Sequence, residues 1–310
     1  MIGLMDLAVM TFLSVTVRMV FVTAYVTNVT TGNILEKRKW HSAVRCELPV
    51  HPDIIAVTPH LDNRGWAHSY DHPCSGGEWC PYACISGKLM NQWNQNSIAY
   101  VHPDKEQGGL YCGEDGILQI PFPDRDFCIE APAKLATINL LDKHVFICQT
   151  VLPGDEGMRI PNRIEPGQNL GLAVPDWRYW SSTAASYYIN IPGYEVEEAC
   201  VWGNNTVPAG NWAPYVLGLN KREDGEIFAT LGWNPIWIEP TTPFREEVPE
   251  FGARIICEGV GCHDTQCEIN PAVNKANEVS AGANGLIGVG GAAACIVTAP
   301  QTAQLRIELF

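Results

Sequence analysis

The sequence has little positive charge and lacks the short motifs of several enzyme classes. Of its 310 residues, 20 are Lys or Arg and 34 are Asp or Glu, which gives a net charge of −14. Nucleic acid and anionic lipid repel so acidic a chain, so we expect neither as a partner. The chain contains no Gly-x-Ser-x-Gly, His-Glu-x-x-His or paired Cys-x-x-Cys motif. These absences argue against an α/β-hydrolase and a metalloenzyme, and we expect no cofactor and no metal.

Internal repeats and long helical periodicities are also missing. Instead, 28 glycines and 22 prolines separate short runs rich in β-branched and aromatic residues. The predicted strands are Val145–Val151, Tyr187–Ile191, Ile227–Leu231, Ala253–Cys257, Cys295–Thr298 and Gln304–Leu309. This pattern predicts a mainly β fold with a β-sandwich-like core, and one short helix is predicted over Pro271–Glu278.

The twelve cysteines are an even number, scattered without metal-site spacing. Two Asn-x-Thr sequons, at Asn28 and Asn204, indicate passage through the secretory route. In that compartment the cysteines are expected to form disulfides, whose pairing the sequence leaves open. A sugar attached to Asn204 would argue against a ligand-binding role for that residue.

The residue composition changes along the chain. Residues 40–130 are rich in Cys, Trp and His, and the stretch Gly65–Cys84 has three cysteines among four aromatic residues. We predict a loop region held by disulfides and packed on a β core at 145–310. Residues 1–38 are interpreted as a degenerate signal or propeptide that ends at the dibasic pair Lys37-Arg38, with a buried N-terminal element as the alternative. No membrane span is expected in the mature chain, because Arg18 interrupts the N-terminal apolar stretch.

Ten tryptophans provide flat apolar rings, and neighbouring asparagines provide planar hydrogen-bonding groups. Together they suit the apolar faces and hydroxyl rims of sugars. Tryptophans also fill protein cores, so about half are expected to be buried. The predicted substrate-binding residues, chosen for their loop-like, Gly- or Pro-flanked contexts, are Trp66, Trp79, Trp202, Trp212 and Asn211.

Histidines cluster in the first region. Together with Asp71 they offer donor atoms that a metal could use, but without metal-site spacing. The same holds for Cys257, Cys262 and Cys267 beside His263, where disulfides are the favoured interpretation. The clustered histidines are His60, His68, His72 and His102.

A series of ordered segments resembles the fungal SUN family of secreted cell-wall proteins, from about residue 60 to residue 310. The matching segments are Gly65-Trp66-Ala67, Tyr70-Asp71-His72, Cys74-x5-Cys80-x3-Cys84, Gly109-Leu110-Tyr111-Cys112, Leu152-Pro153-Gly154-Asp155-Glu156, Val174-Pro175-Asp176, Ala199-Cys200-Val201-Trp202-Gly203 and Gly210-Asn211-Trp212-Ala213. The resemblance implies a secreted or wall-bound glycoside hydrolase of family 132, of the β-glucosidase or β-1,3-glucanase type. Its implied role is remodelling of β-1,3-glucan or another wall polysaccharide during septation and cell separation. The alternative is a non-catalytic glucan-binding or wall-structural protein.

Glycoside hydrolysis needs two carboxyl groups, one acting as the acid and the other as nucleophile or base. Glu156, Asp176 and Glu198 are the predicted catalytic residues, because each lies in a family-like segment beside aromatic residues. A solvated surface acid is the alternative for each of them. If Glu195, Glu197 and Glu198 lie on a strand, Glu198 faces away from the other two.

Overall fold

The computed structural model describes residues 44–97, 107–131, 135–154, 157–282 and 285–310. They lie in one compact unit, His41–Phe310. The predicted boundary at residue 38, the dibasic pair and Asn28 fall outside the described residues. Among those residues, the structure contains no helix long and apolar enough to cross a membrane.

Residues 44–131, here called the stapled region, have short strands joined by disulfides. Three small sheets form, with strand orders β1-β3, β2-β5-β6 and β4-β7. Their strands are β1 (Ile54–Ile55), β2 (Trp79–Cys80), β3 (Ala83–Cys84), β4 (Lys88–Met90), β5 (Leu110–Cys112), β6 (Leu118–Gln119) and β7 (Cys128–Glu130). Such short strands supply few ladder hydrogen bonds, so the covalent links matter more here.

Residues 135–310, here called the β core, form two sheets. One has the order β10-β9-β12-β13-β14-β19-β18, and the other has the order β11-β8-β20-β15-β16-β17. Every pair is antiparallel except β8 with β20. The strands are β8 (Leu135–Asn139), β9 (Val145–Gln149), β10 (Ile160–Ile164), β11 (Asn169–Leu170), β12 (Ala185–Ile189), β13 (Tyr215–Lys221), β14 (Ile227–Trp233), β15 (Ala253–Glu258), β16 (Gln266–Ile269), β17 (Ser280–Ala281), β18 (Gly285–Ile287), β19 (Ala293–Ala299) and β20 (Gln304–Leu309).

The two sheets pack face to face through alternating apolar residues. On β13, Tyr215, Leu217 and Leu219 are buried, and the residues between them are partly exposed. The facing sheet contributes Ile255 and Ile307 to the same cluster. A period of two with one buried face is the pattern of a sandwich. The predicted mainly β, sandwich-like fold is confirmed.

Helices are few in the described residues. One α-helical turn, α1 (Val196–Ala199), and three 3-10 turns are present, at Trp180–Ser182, Gly210–Trp212 and Val289–Gly291. Pro271–Glu278 forms turns, so the predicted helix there is wrong. The structural reason is that the side chain of Asn274 accepts from the backbone of Asn270 at 2.8 Å, which favours a turn.

All twelve cysteines are paired, which confirms the disulfide prediction. Three bridges lie within the stapled region and three within the β core. They are Cys46–Cys112, Cys74–Cys80, Cys84–Cys128, Cys148–Cys200, Cys257–Cys262 and Cys267–Cys295. Because Cys267 lies on β16 and Cys295 on β19, the last bridge joins the two sheets of the sandwich.

Candidate functional site

A groove of 350 Å³ lies where the stapled region meets the β core. This volume is within the range of small-ligand sites. The stapled region contributes one wall and the β core the other, which includes the predicted catalytic residue Asp176. The lining residues are Leu89, Asn91, Trp93, Gln95, Arg125, Ile129, Glu130, Ala131, Val174, Asp176, Arg178, Tyr179 and Lys221.

Asp176 is fixed at one end of the seven-stranded sheet. It forms an isolated parallel bridge with Lys221, whose backbone N–H donates to Pro175 O at 2.9 Å. One carboxylate oxygen accepts from the backbone N–H of Arg178 at 2.9 Å, and the other lies 3.4 Å from the guanidinium of Arg178. The side chain is 30% exposed, so this partnered anion remains open to the groove.

Glu130, at the end of β7, is the second carboxylate of the groove. Its Oε1 lies 2.9 Å from Lys88 Nζ, which also donates to Asp53 Oδ1 at 2.8 Å. The hydrogen bonds to Asp53 and then to Glu130 raise the pKa of Lys88, so the lysine stays charged beside the groove. Glu130 is 67% exposed. Each wall thus presents one carboxylate next to a cation.

Trp93 and Arg125 form the floor of the stapled wall. The guanidinium carbon lies 4.4 Å from the Trp93 ring centroid, and Arg125 Nη1 donates to Trp93 O at 2.7 Å. A second nitrogen donates to Asn91 Oδ1 at 2.5 Å. Burial lowers the pKa of Arg125 from its ordinary value, but an arginine remains protonated throughout the physiological range. Trp93 is buried, with the guanidinium over its ring, so the floor presents the fixed positive charge of Arg125.

Tyr179 joins the two walls. Its ring meets Trp93 edge to face at 5.5 Å, and its hydroxyl lies 3.1 Å from Met90 O and 2.8 Å from Leu152 O. Burial raises the pKa of Tyr179 well above its usual range, so the hydroxyl stays a donor. The groove is consequently held at a defined width by a hydrogen-bonded residue from the β core.

Gln92, fully buried, holds the loop that carries Arg125. Its side-chain nitrogen donates to Phe122 O at 3.0 Å and to Arg125 O at 2.8 Å. Its side-chain oxygen accepts from Phe122 N at 3.0 Å. The sequence signal for this wall is a tryptophan flanked by amides, in Asn91-Gln92-Trp93-Asn94-Gln95. Tryptophans beside asparagines are the pattern that predicts sugar-binding residues elsewhere in the chain, so the same pattern could have identified this wall.

A row of partly exposed aromatic rings leads away from the groove. Arg125 lies 5.8 Å from the Phe122 ring, and Phe122 stacks on Trp79 with centroids 6.5 Å apart. Trp79 in turn meets Tyr111 at 5.8 Å. Trp79 was predicted from sequence as a substrate-binding residue, and the structure places it in this row. The row offers consecutive flat surfaces beyond the groove.

Trp66 is fully buried, so the expectation that it lies at the surface is wrong. Its indole N–H donates to Cys46 O at 3.0 Å, and the ring packs among the half-cystines of the stapled region. A ring with no exposed face cannot stack on a sugar from solvent. Trp66 instead serves as the core residue around which the stapled region folds.

The remaining predicted binding residues lie on the loop after Cys200. Trp202 is 48% exposed, and its ring centroid lies 5.7 Å from the Arg159 guanidinium carbon. Trp212 is partly buried and meets Phe244 at 6.3 Å. Asn211 is buried, and its side-chain oxygen accepts from Gly203 N at 2.8 Å, so it fastens the loop. The groove lining includes none of these three residues.

The glutamates before Cys200 lie on a helical turn, so the predicted strand alternation is wrong. Glu195 is the N-cap of α1, and its side chain and that of Glu198 form a reciprocal capping box. This local pairing favours a helix start over a strand. Glu197 pairs with His60 at 3.2 Å. Glu198 is exposed and is not part of the groove lining. Glu156 lies outside the described residues, and the catalytic roles of all three predicted acids stay predictions.

The histidine cluster is only partly assembled. The His68 and His72 rings stack with centroids 4.6 Å apart, and His72 Nε2 lies 3.1 Å from Glu78 Oε2. His102 lies outside the described residues. In the described part of the chain, two groups of side chains have the spacing of metal ligands, and each contains disulfide-bonded sulfur. The groups are Cys46 with Cys74 and Cys112, and His68 with Glu78 and Cys80. Such sulfur offers no thiolate to a metal.

A larger cavity of 600 Å³ lies elsewhere in the β core. It is lined partly by Asp142, Glu247 and Glu250, with the buried Trp237 behind them. It contains none of the residues predicted from sequence. The smaller groove is the better candidate because it combines Asp176, a second acid, fixed cations and an adjoining aromatic row.

The sequence model of the family described as Beta-glucosidase (SUN family) matches residues 41–297, and the chain belongs to this family. An uncharacterized protein of Saccharomyces cerevisiae is 43% identical over 86% of this chain and 75% of its own length. The probable secreted beta-glucosidase adg3 of Schizosaccharomyces pombe is 40% identical over 88% of this chain, but only 24% of its own length is covered. The probable secreted beta-glucosidase UTH1 of Saccharomyces cerevisiae is 30% identical over 62% of this chain and 52% of its own.

A solved structure of the thaumatin-like xylanase inhibitor TLXI aligns over 56% of this chain and 97% of its own. The TM-score is 0.27, which is too low to support a comparison of folds.

Sequence reasoning proposed Asp176 but none of its neighbours in the groove. Glu130, Arg125 and Lys221 lie far from Asp176 in sequence and meet it only through the packing of the stapled region on the β core. Isolated charged residues of this kind carry no local signal, since most such residues lie at the surface.

Proposed function

We propose that this protein is a secreted glycoside hydrolase that binds and cleaves β-1,3-glucan in the fungal cell wall, with a role in septation and cell separation. The observation that carries the proposal is the groove, with Asp176 and Glu130 on opposite walls and a row of partly exposed aromatic rings leading away from it. Membership of the family named for beta-glucosidase supports the same class of chemistry. The substrate, the biological role and the wall location are parts of the proposal.

The chemistry assigns a role to each carboxylate by its neighbours. Arg178 lies 3.4 Å from the Asp176 carboxylate, an arrangement that suits a nucleophile or a base that activates water. Glu130 likewise has a cation beside it, because Lys88 Nζ lies 2.9 Å from its Oε1. For the proton donor our candidate is Glu156, which was predicted from the sequence. Separation of the two reacting carboxyl groups would decide whether the configuration is retained or inverted.

We infer a polymeric substrate from the aromatic row. Phe122 and Trp79 are partly exposed and lie beyond Arg125, so a chain with one sugar in the groove has further rings to contact. Sugars stack on such rings through their apolar C–H faces, while the exposed Gln95 offers an amide to hydroxyl groups. A single glucose unit would leave the row unused.

The test is hydrolysis of laminarin oligosaccharides, measured as new reducing ends. Asp176→Asn is expected to lower kcat by about 10³-fold or more, because a catalytic carboxylate is lost while the side-chain shape is kept. Glu198→Gln, an acid outside the groove, is the matched control and should retain activity. Glu130→Gln and Glu156→Gln then identify the second carboxyl group. Equal activity of Asp176→Asn and wild type would exclude the assigned site.

One observation favours a second function, glucan binding without cleavage. Both groove carboxylates are paired with cations, an arrangement that suits acceptance of sugar hydroxyl hydrogen bonds as well as catalysis. Under this alternative, wild-type protein releases no reducing ends but sediments with insoluble β-1,3-glucan. Trp79→Ala should then weaken sedimentation, whereas Glu198→Gln should not.

A further inference from the structure

The loop between Cys200 and Gly210 presents a sequon in a fixed conformation. Asn204 to Val207 form a turn in which Val207 N donates to Asn204 O at 3.2 Å. All four residues of the turn are exposed. Because the sequon Asn204-Asn205-Thr206 has no proline in its middle position, it meets the requirement for attachment of an N-linked glycan.

The base of this loop is rigid. Cys200 is bonded to Cys148, and Gly203 N donates to Asn211 Oδ1 at 2.8 Å. Gly210 has a φ of +61°, and an added Cβ would lie 1.8 Å from Val201 O, so glycine is required there. A turn held in this way presents the same side chains outward without an ordering cost.

Within the turn, the asparagine side chain is already oriented for modification. Asn204 Oδ1 accepts from Thr206 N at 2.8 Å and from the Thr206 hydroxyl at 2.5 Å. These two bonds fix the amide plane of an exposed side chain, and Nδ2 donates to no other group among the described residues. The hydroxyl that the sequon requires therefore contacts the amide that would react.

Trp202 lies two residues before Asn204, and both residues are exposed. Two residues of chain span at most about 7 Å, so the Trp202 ring is within reach of a sugar attached to Asn204. The Arg159 guanidinium lies 5.7 Å from the Trp202 ring centroid, and the buried Arg159 donates to Ser69 Oγ at 2.9 Å. Arg159 therefore packs against the Trp202 ring, and 48% of Trp202 remains exposed.

We propose that Asn204 carries an N-linked glycan whose first sugar stacks on Trp202. Asn204 Nδ2 forms a bond to C1 of an oligosaccharide linked to a polyprenyl diphosphate. The bond from C1 to the diphosphate oxygen breaks, the lipid diphosphate leaves with the electron pair, and the nitrogen loses one proton. The apolar face of the attached N-acetylglucosamine then covers the indole. Trp202 is in this way assigned to the protein's own glycan and not to a glucan substrate.

The attachment is tested by secreting the full chain from yeast as the Asn28→Gln variant, which leaves Asn204 as the remaining sequon. Intact mass should fall by one N-glycan on endoglycosidase treatment. Adding Asn204→Gln or Thr206→Ala should abolish the mass change, and Thr206→Ser should restore it. An unchanged mass after endoglycosidase treatment of the protein with Asn204 intact would refute attachment.

Stacking is tested by thermal unfolding in a double-mutant cycle. The Asn204→Gln change should lower Tm by about 2 °C in the parent protein and by much less in Trp202→Ala. Trp177→Ala, which removes another exposed tryptophan without a neighbouring sequon, should keep the full shift. An endoglycosidase that leaves the first sugar on Asn204 should also preserve the higher Tm. Equal shifts with and without Trp202 would show a glycan that does not stack.

Discussion

The stapled region and the β core hold their shape by different means. In the stapled region, six of the ten buried residues of the main cluster are half-cystines, and its strands are two or three residues long. The β core has strands of up to seven residues and a continuous cluster of aliphatic and aromatic side chains. Covalent links therefore replace, in one region, the burial and ladder hydrogen bonds that stabilise the other.

The difference matters because the candidate site is shared by both regions. Asp176 belongs to the β core, while Glu130 and Trp93 belong to the stapled region. The site therefore depends on the stability of both the stapled region and the β core, and different changes should destabilise each region. Loss of the bridges within the stapled region and acid should act on the stapled wall, whereas changes in the apolar core should act on the Asp176 wall.

The largest expected effect is loss of the long bridge in the stapled region. Cys46 and Cys112 are separated by 66 residues, so their bond removes much unfolded-state entropy. Replacing both with Ala should reduce the free energy of unfolding of this region by about 4 kcal/mol. Hydrogen exchange should show lost protection in residues 44–131 and retained protection in the β core.

The matched control is the short bridge between Cys257 and Cys262, which are separated by five residues. Because the closed loop is small, this bond removes less unfolded-state entropy. Replacing both cysteines with Ala should lower the free energy of unfolding by only about 2 kcal/mol. Equal losses of stability and the same exchange pattern in both double variants would contradict the distinction between the two regions.

Acid should destabilise the stapled region through His68. Burial, followed by the neighbouring His72 and opposed by Glu78, lowers the pKa of His68 from 6.5 to about 4. The unfolded chain binds the proton more readily in this window, so stability falls as pH decreases from 6.5 to 4, by on the order of 3 kcal/mol. His68→Asn should flatten the pH dependence of unfolding across that window.

His72→Asn is the control for this pH effect. It removes the neighbouring ring, which is half-exposed, but leaves the buried His68 in place. Most of the acid sensitivity should therefore remain. If His68→Asn retained the full pH dependence, the burial of His68 would not be its cause.

The strands of the β core could be predicted from the sequence because their signal is local. Gln304–Leu309 matches β20 at both ends, and Ile227 starts β14 as expected. A period of two with turn residues at each end needs no information from elsewhere in the chain. The same locality explains the confirmed sandwich-like class.

The stapled region resisted prediction because its structure depends on distant contacts. Trp66 looks like a surface ring in its Gly-flanked loop, yet its N–H reaches Cys46, 20 positions earlier. In the β core, Glu195 and Glu198 form a capping box and not a strand alternation, because both patterns can share the same residues. The groove likewise unites Trp93 with Asp176 through packing that neither segment encodes alone.

A smaller effect is expected where the two regions are joined by Tyr179. Its hydroxyl contacts Met90 O in the stapled region and Leu152 O in the β core. Tyr179→Phe leaves these carbonyls without that donor, and the free energy of unfolding should fall by about 1–2 kcal/mol. Exchange protection should decrease first around Met90. An unaltered stability would show that the regions are held together by other contacts.

The smallest effect concerns Glu198, which sequence reasoning placed beside Asp176 as a catalytic candidate. Its carboxylate accepts from Glu195 N at 3.3 Å at the start of α1, so its expected role is to cap one helical turn. Glu198→Ala should lower the free energy of unfolding by about 0.5–1 kcal/mol, measured by chemical denaturation, and Glu198→Gln should restore most of it because an amide oxygen still accepts the bond. A Glu198→Gln variant that is fully stable yet inactive on laminarin would move the catalytic centre from the groove to α1. Retained activity would instead show that Glu198 caps α1 and takes no part in catalysis, although its sequence context resembles that of Asp176.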